Sequence, residues 1–272
     1  LRPMHVQNLY SKKLKKGNLK TGKGLSPNTV RMIHNVLHNA LDTAVKWRMI
    51  PRNVTNAVNP PRKEENEMSY LDPEEVKIFL REAKKHERYY PVLLTAVMTG
   101  LRRGEVLGLR WKDINFKNKQ LAVRKTLRRE GNDYVLKDPK SKTSERTVAL
   151  PSIVVKELKK IKKKESEIRL KAKGEINELN LVFTKKDGEP IHPNTLVRNF
   201  KKILKEASLP VIRFHDLRHT HATLMLSQGE EPKVISERLG HSRIGITLDK
   251  YSHVLPNMQR DAADRLEEAL FS

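Results

Sequence analysis

The side chains with the most chemistry to offer stand between Arg213 and Tyr251. The stretch reads R-F-H-D-L-R-H-T-H-A-T-L-M-L-S-Q-G and, after Glu230, E-P-K-V-I-S-E-R-L-G-H-S-R-I-G-I-T-L-D-K-Y. His215 and Arg218 are three apart, so on a helix they share a face. Asp216 and Leu217 fall between them and point elsewhere. Gly229 suits the end of that helix and Pro232 the first turn of the next. Gly240 stops the second helix, and His241 follows at once. Tyr251 comes ten residues later, past a turn signal at Ser242 to Gly245. A cation that never deprotonates, two imidazoles and a phenol come within reach of one another. Such a set suits phosphate chemistry. Arginine grips non-bridging oxygens bidentately. Imidazole moves protons near neutral pH. A phenol becomes a nucleophile when a base or nearby cations lower the cost of its phenolate.

H-D-L-R-H, then L-G-H-S, then T-L-D-K-Y resemble, in order and spacing, the C-terminal signature of tyrosine recombinases, the phage-integrase family. A lone H-x-x-R is a weak signal, whereas the ordered set is a strong one. Upstream, T-G-L-R-R-G-E-V-L-G-L-R-W-K-D-I, Thr99 to Ile114, resembles the family's first arginine motif. The residue after Thr99-Gly100-Leu101 that matches is Arg102. Arg103, next to it, would point away on a helix. Taken alone, Arg102 reads as easily as a surface cation. Glu105 matches a position that in the family braces the helix start. The family's general acid is a lysine on the turn between its last two strands. Here P-K-S-K-T-S-E-R-T-V-A-L offers two candidates. Lys142 is favoured because S-K-T lies four residues before Arg146, the family's usual offset. Lys140 is the alternative, and a DNA-backbone contact without chemistry is the bland reading of either.

The resemblance covers nearly the whole chain and implies a mechanism. Tyr251 attacks a backbone phosphate of duplex DNA, and Arg102 and Arg218 hold its non-bridging oxygens. His215 accepts the phenol proton or orients the phosphate. Lys142 protonates the departing 5′ oxygen, and His241 donates a hydrogen bond to the phosphate. No cofactor and no metal are called for, since no carboxylate cluster resembling a two-metal site stands out. The resemblance also implies a homo-tetramer on two DNA duplexes, with accessory DNA-bending proteins as further partners and a phage or conjugative element as the source. A type IB topoisomerase-like enzyme and a catalytically silent DNA-binding protein are the competing readings.

Composition agrees with a polyanion partner. Among 272 residues, 55 are Lys or Arg and 32 Asp or Glu, a formal net charge of +23. Nucleic acid ranks first as partner and an acidic membrane surface second. No apolar run approaches a membrane span, and no signal-peptide pattern is visible. With no Cys, disulfides and thiolate metal sites are excluded. A cytoplasmic location is the default expectation.

The elements that position these groups fall into two parts. Residues 1–63 carry 13 Lys and Arg against one acid, Asp42, a net +12. Ser26 caps a helix with Pro27 in its first turn, and Val30, Ile33, Leu37, Ala40, Leu41, Ala44 and Val45 recur at helical spacing. A shorter apolar pattern runs from Met4 to Leu14. This resembles the family's helical core-binding domain, and so few helices imply an upstream helix beyond the sequence given. Residues 64–70 read as a linker, and 71–272 as an α+β catalytic domain with a C-terminal tail helix carrying Met258, Ala262, Ala263, Leu266, Leu270 and Phe271. Asp72, Pro73 and Glu75 form a capping box. Residues 90–98 read as a buried helix. Strands are expected over 113–116, 120–127, 134–136 and 146–150 in one small antiparallel sheet, and at Leu181-Val182-Phe183. Helices are expected over 153–173 and 196–207. The fold class is mainly α with a small antiparallel β-sheet. His219 is expected to orient or pack beside His215, and His221 to be structural or exposed.

Overall fold

The computed structural model describes residues 1–64, 69–139, 145–172, 178–245, 247–248, 264, 266–268 and 270–271. It divides into two units, Leu1–Glu67 and Met68–Ser272.

The first unit has helices α1 (Pro3–Lys15) and α2 (Pro27–Lys46) and a 3-10 turn at Val54–Ala57. Ser26 Oγ accepts the Thr29 N–H at 3.2 Å, which satisfies one of the donors that a helix start leaves unpaired. Asn53 pins the 3-10 turn to α2, donating to Asp42 Oδ1 at 2.7 Å and to the His38 carbonyl at 3.0 Å. The core is small: Val6, Tyr10, Val30 and Val58. Of the seven apolar α2 positions at helical spacing, only Val30 is buried. Helix α1 and the turn lie against one side of α2 and leave the rest half-buried or exposed.

The second unit opens on α3 (Pro73–Ala83), with the expected reciprocal cap between Asp72 and Glu75. Helix α4 (Tyr90–Thr99) is apolar nearly all round and almost wholly buried, as its composition requires. Helix α5 (Arg103–Leu107) and a 3-10 turn at Trp111–Asp113 lead to the strands. These are β1 (Ile114–Asn115), β2 (Gln120–Val123), β3 (Thr126–Glu130), β4 (Asp133–Lys137) and β5 (Arg146–Ala149). They form two antiparallel sheets, β1-β2-β5 and the hairpin β3-β4, where one was expected. The expected strand over 120–127 breaks at Arg124 and Lys125 because α5 occupies that backbone. A Cβ on Gly108 would lie 2.6 Å from Leu127 N and 3.1 Å from the Lys125 carbonyl. Leu181-Val182-Phe183 is not a strand. It contributes one bridge, Leu181 to Arg110, closed by Val182 N–H to the Leu109 carbonyl at 2.8 Å.

Helices α6 (Ser152–Ala172), α7 (Pro193–Glu206), α8 (Asp216–Ser227) and α9 (Pro232–Leu239) complete the unit. One core runs through α3, α4, both sheets, α6 and α7 to Leu217 of α8. Ala222, Leu226, Ile235 and Leu239 seal α8 against α9 in a satellite cluster.

Candidate active site

Arg102 caps α5, and its placement begins at Gly100. That residue ends α4 with φ at 65°, the left-handed region that favours glycine. A Cβ there would come within 2.5 Å of Leu239 and 2.8 Å of His221, so the turn is closed to side chains by space as well. The Gly100 carbonyl accepts from Arg218 Nη1 at 3.0 Å. The turn that presents Arg102 therefore also seats Arg218.

Glu105 fixes the other end of Arg102. Its Oε2 accepts the Arg102 N–H at 3.0 Å and its Oε1 accepts from Nη1 at 2.7 Å. Oε2 also receives Arg146 Nη2 at 3.0 Å. Burial alone would push the Glu105 carboxyl up, but Arg146 and Arg102 outweigh it and hold it below the usual carboxylate range. Arg146 opens β5, and its Nε donates to the Arg238 carbonyl at 2.7 Å.

Three successive carbonyls at the end of α9 thus receive three arginines. Arg238 O takes Arg146, Leu239 O takes Arg218 Nη2 at 2.6 Å, and Gly240 O faces Arg102 Nη2 at 3.5 Å. A helix C-terminus leaves its last carbonyls without intrahelical partners and carries partial negative charge, so guanidinium groups are drawn to it. His241 is the next residue. Its Nδ1 lies 2.8 Å from the hydroxyl of Thr247, a fully buried residue that fixes the ring.

His215 stands exposed at the N-cap of α8, with its ring edge-on to His219 at 5.2 Å between centroids. Asp216 is buried and takes three donors of Arg213: N at 2.7 Å, Nη2 at 2.8 Å and Nε at 3.1 Å. This lock fixes the turn that presents His215. Arg218, one helical turn on, is only 2% exposed.

His221 is structural. Its Nδ1 lies 2.9 Å from the Val97 carbonyl and its Nε2 lies 3.0 Å from Arg238 Nε. Since a carbonyl only accepts, Nδ1 carries the proton and Nε2 accepts from the guanidinium. Burial, and then the Arg238 charge, push its pKa down to about 3, so the ring is neutral. Arg238 Nη2 also donates to the Met98 carbonyl at 3.0 Å and to that of Ala149 at 3.1 Å. One side chain thus ties α9 to α4, α8 and β5.

Arg102, Arg218 and His241 converge on the end of α9, and His215 shares with Arg102 the wall of a groove of about 780 Å³. Lys142, its alternative Lys140, and Tyr251 lie outside the described residues. Asp216, Arg146, Arg238 and Thr247 are contributors that the motifs did not single out. The three-residue spacing from Arg213 to Asp216 was a readable signal, whereas the long-range partners of Arg146 and Arg238 left none. Among the described residues one group has metal-ligating geometry, Glu82, His86 and Glu206, with atoms within 4.8 Å of one another. It does not line the groove, and Lys85 and Lys202 pair with its carboxylates.

The sequence profile of the phage integrase family matches residues 69–258. The chain belongs to the phage integrase family. It is a tyrosine recombinase, an enzyme of DNA strand breakage and rejoining. It is 33% identical over 287 residues to a "Tyrosine recombinase XerC-like" protein of Caldanaerobacter subterraneus subsp. tengcongensis, covering 98% of this chain and 71% of that one. It is 33% identical over 255 residues to the ICEBs1 integrase of Bacillus subtilis, covering 91% and 67%. The Tn1549 transposon integrase, solved in complex with a circular intermediate DNA, superposes with a TM-score of 0.75 at 26% identity, covering 97% of this integrase and 85% of that chain. No described helix of the integrase is long and apolar enough to cross a membrane.

Proposed function

We propose that this integrase exchanges strands between two DNA duplexes through a 3′-phosphotyrosyl intermediate. The observation that carries the reading is the convergence of Arg102 and Arg218 on consecutive carbonyls beside His241, with His215 in the same groove as Arg102. The Tyr251 phenol oxygen forms a bond to phosphorus as the bond to the 5′ oxygen breaks. His215 takes the phenol proton, and Lys142 gives one to the departing 5′ oxygen. Arg102 and Arg218 meet the charge on the non-bridging oxygens, and His241 adds a hydrogen bond. Because Glu105, Gly100 and the end of α9 already hold the arginines, little reorganisation remains when the phosphate arrives.

The phosphotyrosyl link keeps the energy of the phosphodiester, so a 5′-hydroxyl from another duplex reverses the step without ATP. Two duplexes have four strands to cut, so four copies of the chain are required, and DNA-bending partners would bring the duplexes together. The basic segment 1–63 and the domain 71–272, joined by the linker 64–70, would each contact DNA, and the work would be done on DNA in the cytoplasm. A nicked duplex whose cut end diffuses away traps the covalent complex. A two-duplex exchange assay then separates recombination from topoisomerase-like resealing of one strand. Adduct without any exchange between duplexes would overturn the proposal in favour of resealing, and absence of adduct would favour a silent binder.

A further inference from the structure

The groove beside Arg102 and His215 continues well past those two residues. Six cationic side chains line it, Arg102, Arg103, Arg128, Arg129, Lys201 and Arg213, and no Asp or Glu does, so Arg103 shares the groove with Arg102 rather than pointing away as expected. Three of the six are occupied: Arg102 by Glu105, Arg213 by Asp216, and Arg129 by the Gly131 carbonyl and the His192 ring. Among the described residues Arg103, Arg128 and Lys201 make no ion pair. Their neighbours elsewhere behave differently. Lys202, beside Lys201, pairs with Glu206 at 3.5 Å, and Lys160 pairs with Glu157 at 2.7 Å. Uncompensated like charges in one concavity repel, and a polyanion relieves that repulsion.

The walls that hold these cations are stiff. A Cβ on Gly104 would stand 2.5 Å from Thr126 Cγ2, and Gly108 lies just as close to the β3 backbone, so α5 rests directly on β3. Arg103 and Arg128 are therefore carried by one packed layer. Lys201 projects from α7, whose Leu196, Phe200, Ile203 and Leu204 are buried in the main core. Leu127, Val197 and Phe214 give the groove an apolar lining between its charges. A volume of about 780 Å³ exceeds the needs of one phosphate and is in the range of sites that enclose a drug-sized ligand. Sugar against the apolar lining and phosphates against the cations is the ligand chemistry that fits.

We infer that this groove is a phosphate track for the DNA strand flanking the cleaved phosphate, with Arg128 and Lys201 each gripping a neighbouring phosphate. The inference rests on the proposed function, which sets the reacting phosphate at Arg102 and His215. It assigns Arg128 and Lys201 as DNA-positioning residues rather than catalytic ones. The probe is a short duplex of random sequence, whose binding is governed by charge. Arg128→Gln and Lys201→Gln are each expected to lower the slope of log affinity against log salt by about 0.9, one phosphate contact apiece. Lys159→Gln, the same charge loss on α6 away from the groove, is expected to leave it unchanged. An unchanged slope in the groove variants, or an equal fall with Lys159→Gln, overturns the track.

A second measurement uses the nicked duplex with one flanking phosphate replaced by a neutral methylphosphonate, tried at each position beside the mapped cleavage site. At one position the wild type should lose about tenfold in affinity, the scale of one charge-assisted hydrogen bond, and Arg128→Gln should lose nothing further. Additive losses at every position would overturn the assignment of Arg128. Failure of the wild type to form any adduct on the unmodified nicked duplex would instead sink the proposed function itself.

Discussion

Replacing Glu105 with Gln tests the bracing of Arg102 at a single atom. The side chain keeps its shape, but one oxygen becomes an NH2 and the charge is lost. If the remaining carbonyl stays at the Oε2 position, it still accepts from Arg102 N–H and Arg146 Nη2. The new NH2 then faces Arg102 Nη1, where Oε1 accepted at 2.7 Å. The Arg146 and Glu105 side chains are only 6% and 4% exposed, so the Arg146 charge is left buried without its counter-ion. Breaking such a pair from one side costs about 3–5 kcal/mol. The low end, about 3 kcal/mol, is expected here because two of the hydrogen bonds survive. The contact to Arg102, whose side chain is 39% exposed, adds little stability. For a unit of this size, about 3 kcal/mol lowers Tm by about 6–12 °C. Adduct formation on nicked DNA should fall as well, because the Arg102 guanidinium, proposed to hold the phosphate, loses its brace. A Tm within about 2 °C of wild type together with an unchanged rate of adduct formation would refute this reasoning.

Gly104→Ala should destabilise the protein by about 1–3 kcal/mol through the clash with Thr126 Cγ2, and Thr126→Ser, which removes that methyl group, should restore most of the loss in chemical denaturation. His221 titrates at about 3 when folded against an ordinary 6.5, so its contribution to stability is complete above pH 6.5 and is lost as pH falls toward 3. Near pH 4.5 that loss amounts to about 3 kcal/mol, and a His221→Gln variant should show a flatter fall in stability between pH 6.5 and 4.5. The Glu105 carboxyl, held low by its arginines, likewise stabilises above its ordinary range and ceases to do so on acidification. Cleavage should survive excess EDTA, because in the proposed mechanism arginine and lysine supply the charge a metal would otherwise bring; loss of cleavage that Mg²⁺ restores would count against the mechanism. Truncation after Pro256 should leave single-site binding intact and impair exchange between duplexes, as read by sedimentation on two-site DNA and a recombination assay.

What could be read from the sequence was mostly local. The Asp72–Glu75 capping box, the Ser26-Pro27 start and the stop at Gly240 depend on residues a few positions apart, so their types suffice. The apolar run of α4 announced a buried helix because no face of it could be left in water. The break of the long strand at Arg124 and Lys125 was not legible. It arises from contact with Gly108 of α5, more than a dozen residues earlier, and glycine there signals only that something comes close. Leu181 to Phe183 has strand composition but only one bridge to offer, so propensity misled. At the site, motif order picked out Arg102, His215, Arg218 and His241. The carbonyls that seat Arg218 and face Arg102 are backbone atoms and carry no sequence signature at all. Arg238 looked like an ordinary basic residue in the last turn of a helix, and its three-way tie depends on elements 89 to 140 residues away as well as on α8.

In the proposed mechanism Tyr251 carries the DNA. The most direct measurement digests the covalent complex formed on nicked duplex and locates the nucleotide-bearing peptide by mass spectrometry. A single modified peptide is expected, linked through the Tyr251 phenol oxygen to a 3′ phosphate, and no adduct from Tyr251→Phe even where that variant binds the duplex normally. A 3′ phosphate on any other residue, or an SDS-resistant adduct from Tyr251→Phe, would contradict it.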